Sequence, residues 1–234
     1  MDSSEKYKII HWHSANCGNR NSLKNKDRFN CIPIGFSQWV VPRQGFYPLL
    51  KIQEYGDKRV GIIYDNGEFK HSGIAEKKKM FLCNYGTLYL KHRREIMDFF
   101  KQNMTNETLF RKSWGGKDYY NNLMRSFFVV SPEGAGLDCY RSYESILFGS
   151  VPIMRKTGIE EIFEELPVHY VDSYEEVRNL TFMREKFQEI YSKEKKYKLE
   201  KLFMNYWQKK IYEGRPEQLK TCFFQYENKK QVEN

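Results

Sequence analysis

Residues 127–153, FFVVSPEGAGLDCYRSYESILFGSVPI, limit the possible folds more than any other part of the chain. Phe127, Phe128, Val129 and Val130 form a short apolar, partly β-branched run without polar alternation, the pattern of a strand covered on both faces inside a parallel sheet. Ser131 and Pro132 stop the strand, and Gly134 and Gly136 permit a tight turn and a close backbone approach to a ligand. Asp138 stands where a helix cap belongs, and Tyr140, Tyr143 and Leu147 then recur at helical spacing. Arg141 and Glu144 are three apart and share a neighbouring face. A second short strand follows Gly149 and runs through Pro152. A strand, turn and helix start in this order form a seat for phosphate, because free amides and the positive helix end meet there.

The rest of the chain extends this unit. Strands are expected at 80–84, 127–131, 151–154 and 168–172 and helices at about 90–102 and 138–148, with a polar loop around Trp114-Gly-Gly. The alternation predicts an α/β fold with a doubly wound parallel sheet whose ligand lies beyond the strand carboxyl ends. Upstream, Tyr7–Trp12 and Arg59–Asp65 read as strands around a turn-rich segment containing Gly18, Pro33, Gly35 and Pro42. Asp65-Asn-Gly, Glu68 and the EKKK run at 76–79 mark a loop. The expected division is therefore a short first lobe at 1–76, a second lobe at 77–180, and helices at 181–234 that pack back across both. In those helices Leu199, Leu202, Phe203 and Tyr206 make an apolar stripe opposite solvated lysines.

The formal net charge of +9 favours anionic partners: nucleotide sugars, anionic glycans, phospholipid headgroups or nucleic acids. Zinc-site, RRM, KH, helix-turn-helix, complete dinucleotide and P-loop patterns are all missing, which argues against a nucleic-acid-binding protein. The five cysteines, at 17, 31, 83, 139 and 222, are scattered and lack Cys-x-x-Cys spacing, so neither a disulfide framework nor structural zinc is expected, and a reducing compartment fits. No stretch approaches the roughly 20 apolar residues of a membrane span, and the first residues lack a long apolar core, so a cytoplasmic location is expected. The glycosylation-type triplets at Asn103, Asn106 and Asn179 are then chance matches.

Strand, Pro-x-Gly, Arg-x-x-Glu and Gly-x-x-Pro-Ile together resemble the carboxy-terminal half of exostosin-like glycosyltransferases. MFLCNYGTLYLKHRREIMDFF (80–100) is similar to that family's strand and basic helix start, and RFNCIPIGFS (28–37) to its Pro-Ile-Gly loop between domains. The resemblance implies a GT-B-like architecture of two Rossmann-like lobes, here with a short N-terminal lobe. It also implies an inverting transferase that moves a sugar from a UDP-sugar to a hydroxyl of an oligosaccharide or glycoprotein acceptor. Xylose is among the sugars the family transfers. Soluble members that the chain looks like include those of large DNA viruses, which would place it in the host cytoplasm.

Carried onto this sequence, the resemblance puts the ribose hydroxyls on Glu144 and the diphosphate near Arg141. Further donor contacts fall on Asn84, Tyr85, Thr87, Arg93, Ser131, Glu133, Gly134 and Gly136. A carboxylate accepts two hydroxyls well and a guanidinium offers phosphate a planar fork. The alternative is an exposed Arg141–Glu144 helix pair worth about 0.2–0.5 kcal/mol. Glu133 departs from the family, which commonly carries a basic residue there. Either its side chain turns away from the diphosphate or the phosphate is held elsewhere, with Arg94, Arg155 and Lys156 also available. Inversion needs a base, and His13 and Asp65, both at predicted strand ends, are the candidates, with His11 and Glu68 nearby. The sequence contains no Asp-x-Asp, so metal-independent catalysis without a cofactor is expected, the leaving diphosphate being met by amides and basic side chains. A non-catalytic sugar- or nucleotide-binding relative is the competing reading.

Overall fold

The computed structural model describes residues 12–15, 29–36, 54–55, 58–59, 61–65, 68–73, 76–86, 90–110, 117–192 and 194–213. In the first region β1 (Trp12–Ser14) runs parallel to β2 (Phe29–Cys31), with His13 opposite Asn30. β3 (Glu54–Tyr55) and β4 (Lys58–Arg59) form a short antiparallel ribbon. β5 (Gly61–Asp65) and β6 (Glu68–Gly73) are an antiparallel hairpin in which Asp65 faces Glu68. The expected loop after Asp65 is thus corrected to a hairpin, since Asn-Gly between two paired strands is a strong hairpin signal. Of the strand expected at Tyr7–Trp12, only Trp12 falls within the described residues.

The second region is an all-parallel sheet of β7 (Lys79–Cys83), β8 (Thr108–Phe110), β9 (Ser126–Val130), β10 (Val151–Met154) and β11 (His169–Tyr170), in the order β11-β10-β9-β7-β8. Helices α1 (Lys91–Asn103), α2 (Lys117–Arg125), α3 (Tyr140–Leu147), α4 (Glu160–Phe163), α5 (Leu180–Ile190) and α6 (Met204–Glu213) surround it. Phe128 and Val130 pack with Ile96 and Phe100 of α1 and Met183 and Phe187 of α5. Between them, Val129 turns the other way, into a core with Leu123 of α2, Tyr143 and Ile146 of α3 and Phe163 of α4. Both sheet faces are covered, which is why β9 shows no polar alternation, and each such buried side chain stabilises the fold by about 1.5–3 kcal/mol.

The turn after α3 accounts for its Gly-x-x-Pro spacing. Gly149 adopts φ +76°, its N–H donates to Ile146 O (3.1 Å), and Ser150 N–H donates to Ser145 O (2.8 Å), a Schellman ending that aims the chain into β10. Lys77 closes the same end of the sheet, its Nζ donating to Met124 O (2.8 Å), Gly149 O (2.7 Å) and Ser150 Oγ (3.2 Å).

Other expectations are corrected here. The polar loop expected around Trp114-Gly-Gly lies outside the described residues, but β8 and α2, which were not expected, stand on either side of it. β8 has only three residues, and α2's apolar stripe of Tyr119, Tyr120, Leu123 and Met124 is interrupted by Asn121 and Asn122, poor helix formers. Tyr140 is 47% exposed and leaves the α3 core to Tyr143 and Leu147. The carboxy-terminal helical run divides into α5, a 3-10 turn at Leu199–Leu202 and α6. Lys201 there is buried, with Nζ donating to Glu161 O (3.0 Å) and Glu164 O (2.6 Å), instead of lying on a solvated face. Cys31 is disulfide-bonded. Cys83 and Cys139 are free. An odd, scattered cysteine set therefore does not exclude a disulfide, and the cysteine pattern no longer argues for a reducing compartment. Among the described residues no helix is long and apolar enough to cross a membrane.

Candidate functional site

The chain leaves β7 toward β8 on one side and returns to β9 on the other, so the strand order reverses between β7 and β9. The loops leaving the carboxyl ends of two such strands diverge and open a crevice, the usual ligand position on sheets of this kind. Asn84 and Tyr85 follow β7 directly, Ser131–Gly136 follow β9, and the first turns of α1 and α3 flank them.

Arg141 and Glu144 are both buried here, at 4% and 3% exposure, which rules out the exposed helix pair. Arg141 reaches across to the end of β7, where its Nε donates to Asn84 O (2.7 Å). Its Nη1 donates to Cys139 Sγ (3.3 Å), and its guanidinium carbon lies 5.5 Å from the centre of the Tyr85 ring. Burial opposes its charge, but Cys139, Tyr119 and Glu144 outweigh this and hold the guanidinium above its ordinary pKa. Glu144 Oε2 accepts the Tyr119 hydroxyl at 2.6 Å. Burial first, then the nearby carboxylate, pushes the Tyr119 phenol well up, so it stays a donor. The Tyr85 phenol is pushed up by burial as well, and its oxygen has no hydrogen-bond partner among the described residues.

Arg93, 3% exposed, is committed to the loops. Nε donates to Glu133 O (2.8 Å), Nη1 to Gly86 O (3.1 Å) and Nη2 to Pro132 O (3.0 Å). Gly134 is a glycine for reasons of space: a Cβ there would lie 2.8 Å from Arg93 Nη2. Neither Gly134 nor Gly136 has a positive φ, which corrects the torsional role expected of both. The Glu133 side chain turns toward α1, with Oε1 4.0 Å from His92 Nε2, while Glu133 O lies 2.9 Å from the same nitrogen. Ser131 is buried, and its Oγ is 2.9 Å from Ser142 Oγ.

Asp138 is not the cap of α3. Cys139 occupies that position without a side-chain cap bond, and Asp138 points elsewhere. Its Oδ2 accepts Ile34 N–H (2.8 Å) and Tyr143 O–H (2.7 Å), and its Oδ1 accepts Cys139 N–H (2.7 Å). Burial raises its pKa against these three donors. The Pro33-Ile34-Gly35 loop is thereby tied to the start of the helix that carries Arg141 and Glu144. β5 passes beside the same helix, while His13 sits half-buried in the β1–β2 pair. Thr87 lies outside the described residues. Tyr119, His92, Asp138 and Cys139 were missed as site residues. A tyrosine in an unrecognised helix leaves no local signal, whereas the neighbourhood of Asp138 and Cys139 to Arg141 was visible. Among the described residues no group of three or more His, Cys, Asp or Glu side chains is arranged to hold a metal ion.

The family model of the RXYLT1 C-terminal domain matches residues 67–224, which contain this whole crevice. The chain is 34% identical to ribitol-5-phosphate xylosyltransferase 1 of Danio rerio over 95 residues, covering 36% of this chain and 22% of that protein. To its counterparts in Mus musculus and Homo sapiens it is 29% and 28% identical over 93 residues, covering 35% of this chain and 21% of each. The matched segment thus spans about a fifth of the length of these relatives. With the family model covering most of its length, the chain belongs to the RXYLT1 C-terminal domain family.

Proposed function

We propose that the chain is a glycosyltransferase that moves a sugar, xylose by analogy with its relatives' names, from a UDP-sugar to a hydroxyl of a glycan or polyol acceptor. Ribitol 5-phosphate is the acceptor word in those names. The observation that carries the reading is the buried Arg141–Glu144 constellation beyond the carboxyl ends of β7 and β9, inside the family-matched segment. A carboxylate already oriented by Tyr119 is suited to accept the two ribose hydroxyls, and a guanidinium held on Asn84 O is suited to offset the growing charge of the leaving diphosphate. Preorganisation matters here, because groups fixed before reaction need no rearrangement as that charge develops. Asp65 or His13 is the base that takes the acceptor proton on the opposite side of the anomeric carbon, giving inversion. In this reading the diphosphate charge is met by Arg141 and loop amides and not by a carboxylate-held metal.

The test is calorimetric titration with UDP, GDP and UMP, followed by turnover of UDP-xylose with and without EDTA. UDP should bind more tightly than GDP or UMP, and Glu144→Gln should weaken UDP binding by about tenfold or more. UDP binding without turnover of any UDP-sugar would favour the non-catalytic relative. A strict requirement for a divalent cation would overturn the metal-independent mechanism, and absence of UDP binding would sink the donor assignment.

A further inference from the structure

The end of β7 fixes Arg141 through two adjacent residues. Asn84 O accepts its Nε at 2.7 Å, and the centre of the Tyr85 ring lies 5.5 Å from its guanidinium carbon. The same ring centre is 5.6 Å from the guanidinium carbon of Arg93, so one aromatic side chain serves two cations, both within cation–π range. Cys139 joins them at the start of α3, its thiol meeting Arg141 Nη1 at 3.3 Å and the Arg93 guanidinium as well. Two buried like charges repel, and after burial itself the charge of Arg141 pushes the Arg93 pKa down. The two arginines are used differently. Arg93 gives Nε, Nη1 and Nη2 to loop carbonyls, whereas Arg141 donates from Nε and Nη1 and its Nη2 meets no acceptor among the described residues.

Tyr85 is 4% exposed, and its hydroxyl is buried without a hydrogen-bond partner among the described residues. After burial, Cys83 and Tyr174 do most to raise its pKa, which puts the hydroxyl beside these two buried core residues. Sealed in this way it offers nothing to a ligand. What the residue presents is its ring, to the two guanidiniums. We infer that Tyr85 is a positioning residue for the donor: its ring, not its hydroxyl, holds the Arg93 and Arg141 guanidiniums together and keeps the uncommitted Nη2 of Arg141 in place for the nucleotide diphosphate. This rests on the UDP-sugar reading above, and it replaces the direct donor contact implied for Tyr85 by one made through the arginines.

Calorimetric titrations with UDP and with uridine test this, on the wild-type chain, on Tyr85→Phe and Tyr85→Leu, and on a chain carrying phenylalanine trifluorinated on the ring in place of Tyr85. Fluorine draws electron density from the ring face and weakens its hold on a cation while leaving the shape nearly unchanged. Tyr85→Phe should keep UDP affinity within about twofold, since the ring is retained. It should also equal or exceed the wild-type chain in urea stability, because it removes a hydroxyl buried without a partner. The trifluorinated ring and Tyr85→Leu should each lose about five- to tenfold in UDP affinity while uridine affinity holds. An equal loss in Tyr85→Phe and Tyr85→Leu would make the hydroxyl the working group. A trifluorinated ring that binds UDP as well as Tyr85→Phe does, or losses shared equally by uridine, would reduce the ring to packing. Each of these results overturns the inference and leaves the donor reading standing, whereas a wild-type chain that does not bind UDP overturns both. If Tyr85→Leu does not fold, the two aromatic replacements decide.

Discussion

Lys77 lies at the end of the sheet opposite the site, and replacing it with methionine isolates one buried amine. Its Nζ donates to Met124 O, Gly149 O and Ser150 Oγ and sits 5.6 Å from the centre of the Phe187 ring. Burial pushes its pKa down from 10.5 to about 7. Between those values the folded chain carries a neutral amine and the unfolded chain an ammonium, so the unfolded state binds more protons and stability rises with pH. A full proton difference corresponds to about 1.4 kcal/mol per pH unit, and over the whole window to at most roughly 5 kcal/mol. The neutral amine still has two N–H donors for the carbonyls at 2.7 and 2.8 Å. Above pH 9, Lys77→Met should therefore cost about 2–5 kcal/mol, from buried carbonyls left without a donor. Near pH 7 and below, the cost should shrink, because the wild-type chain then bears the burden of a buried charge. Urea unfolding of both proteins at half-unit steps from pH 6.5 to 9.5 measures the difference, and subtraction removes every other titrating group. Parallel stability curves, or a cost that grows toward acid, would refute the reasoning. Either result would mean that the three acceptors hold the ammonium charged inside the fold.

Three further outcomes follow from the same contacts. Burial raises the pKa of Asp138, so the folded state binds the proton more tightly than the unfolded one. Stability should fall as pH rises through the window just above the ordinary carboxylate value, and Asp138→Asn should abolish that fall in urea titrations while costing about 1–3 kcal/mol, since one amide oxygen cannot replace both carboxylate oxygens. Tyr119→Phe frees Glu144 Oε2 of its 2.6 Å bond and should weaken uridine and UDP about equally, several-fold each; a loss confined to UDP would contradict a ribose role for Glu144. Cys31→Ser should lower stability by about 2–4 kcal/mol without reductant and by much less with dithiothreitol, and peptide mapping of the non-reduced chain should recover Cys31 in a cross-linked peptide pair.

What was legible in the sequence was what the chain writes locally. β9, its turn, α3 and β10 follow from apolar runs, prolines and glycines, and the shared face of Arg141 and Glu144 follows from helical spacing. Gly134 stood out, but for the wrong reason, because its constraint comes from Arg93 on another helix and not from its own torsions. The same blindness affected the charge. Lys77, Arg93 and Lys201 each count toward the net +9, yet all three direct their donors at backbone carbonyls of distant segments. A side chain advertises its charge in the sequence, but a carbonyl that will accept from it is the same in every residue and leaves no mark. Excess basic charge in a chain of this kind therefore overstates what is available to an anionic ligand. The residue that makes this sharpest is Arg93, which the resemblance placed among the donor contacts and which is bound on three sides by the loops it organises. An arginine committed in this way holds two loops together through its planar fork, so substitutions there should track fork geometry more closely than charge.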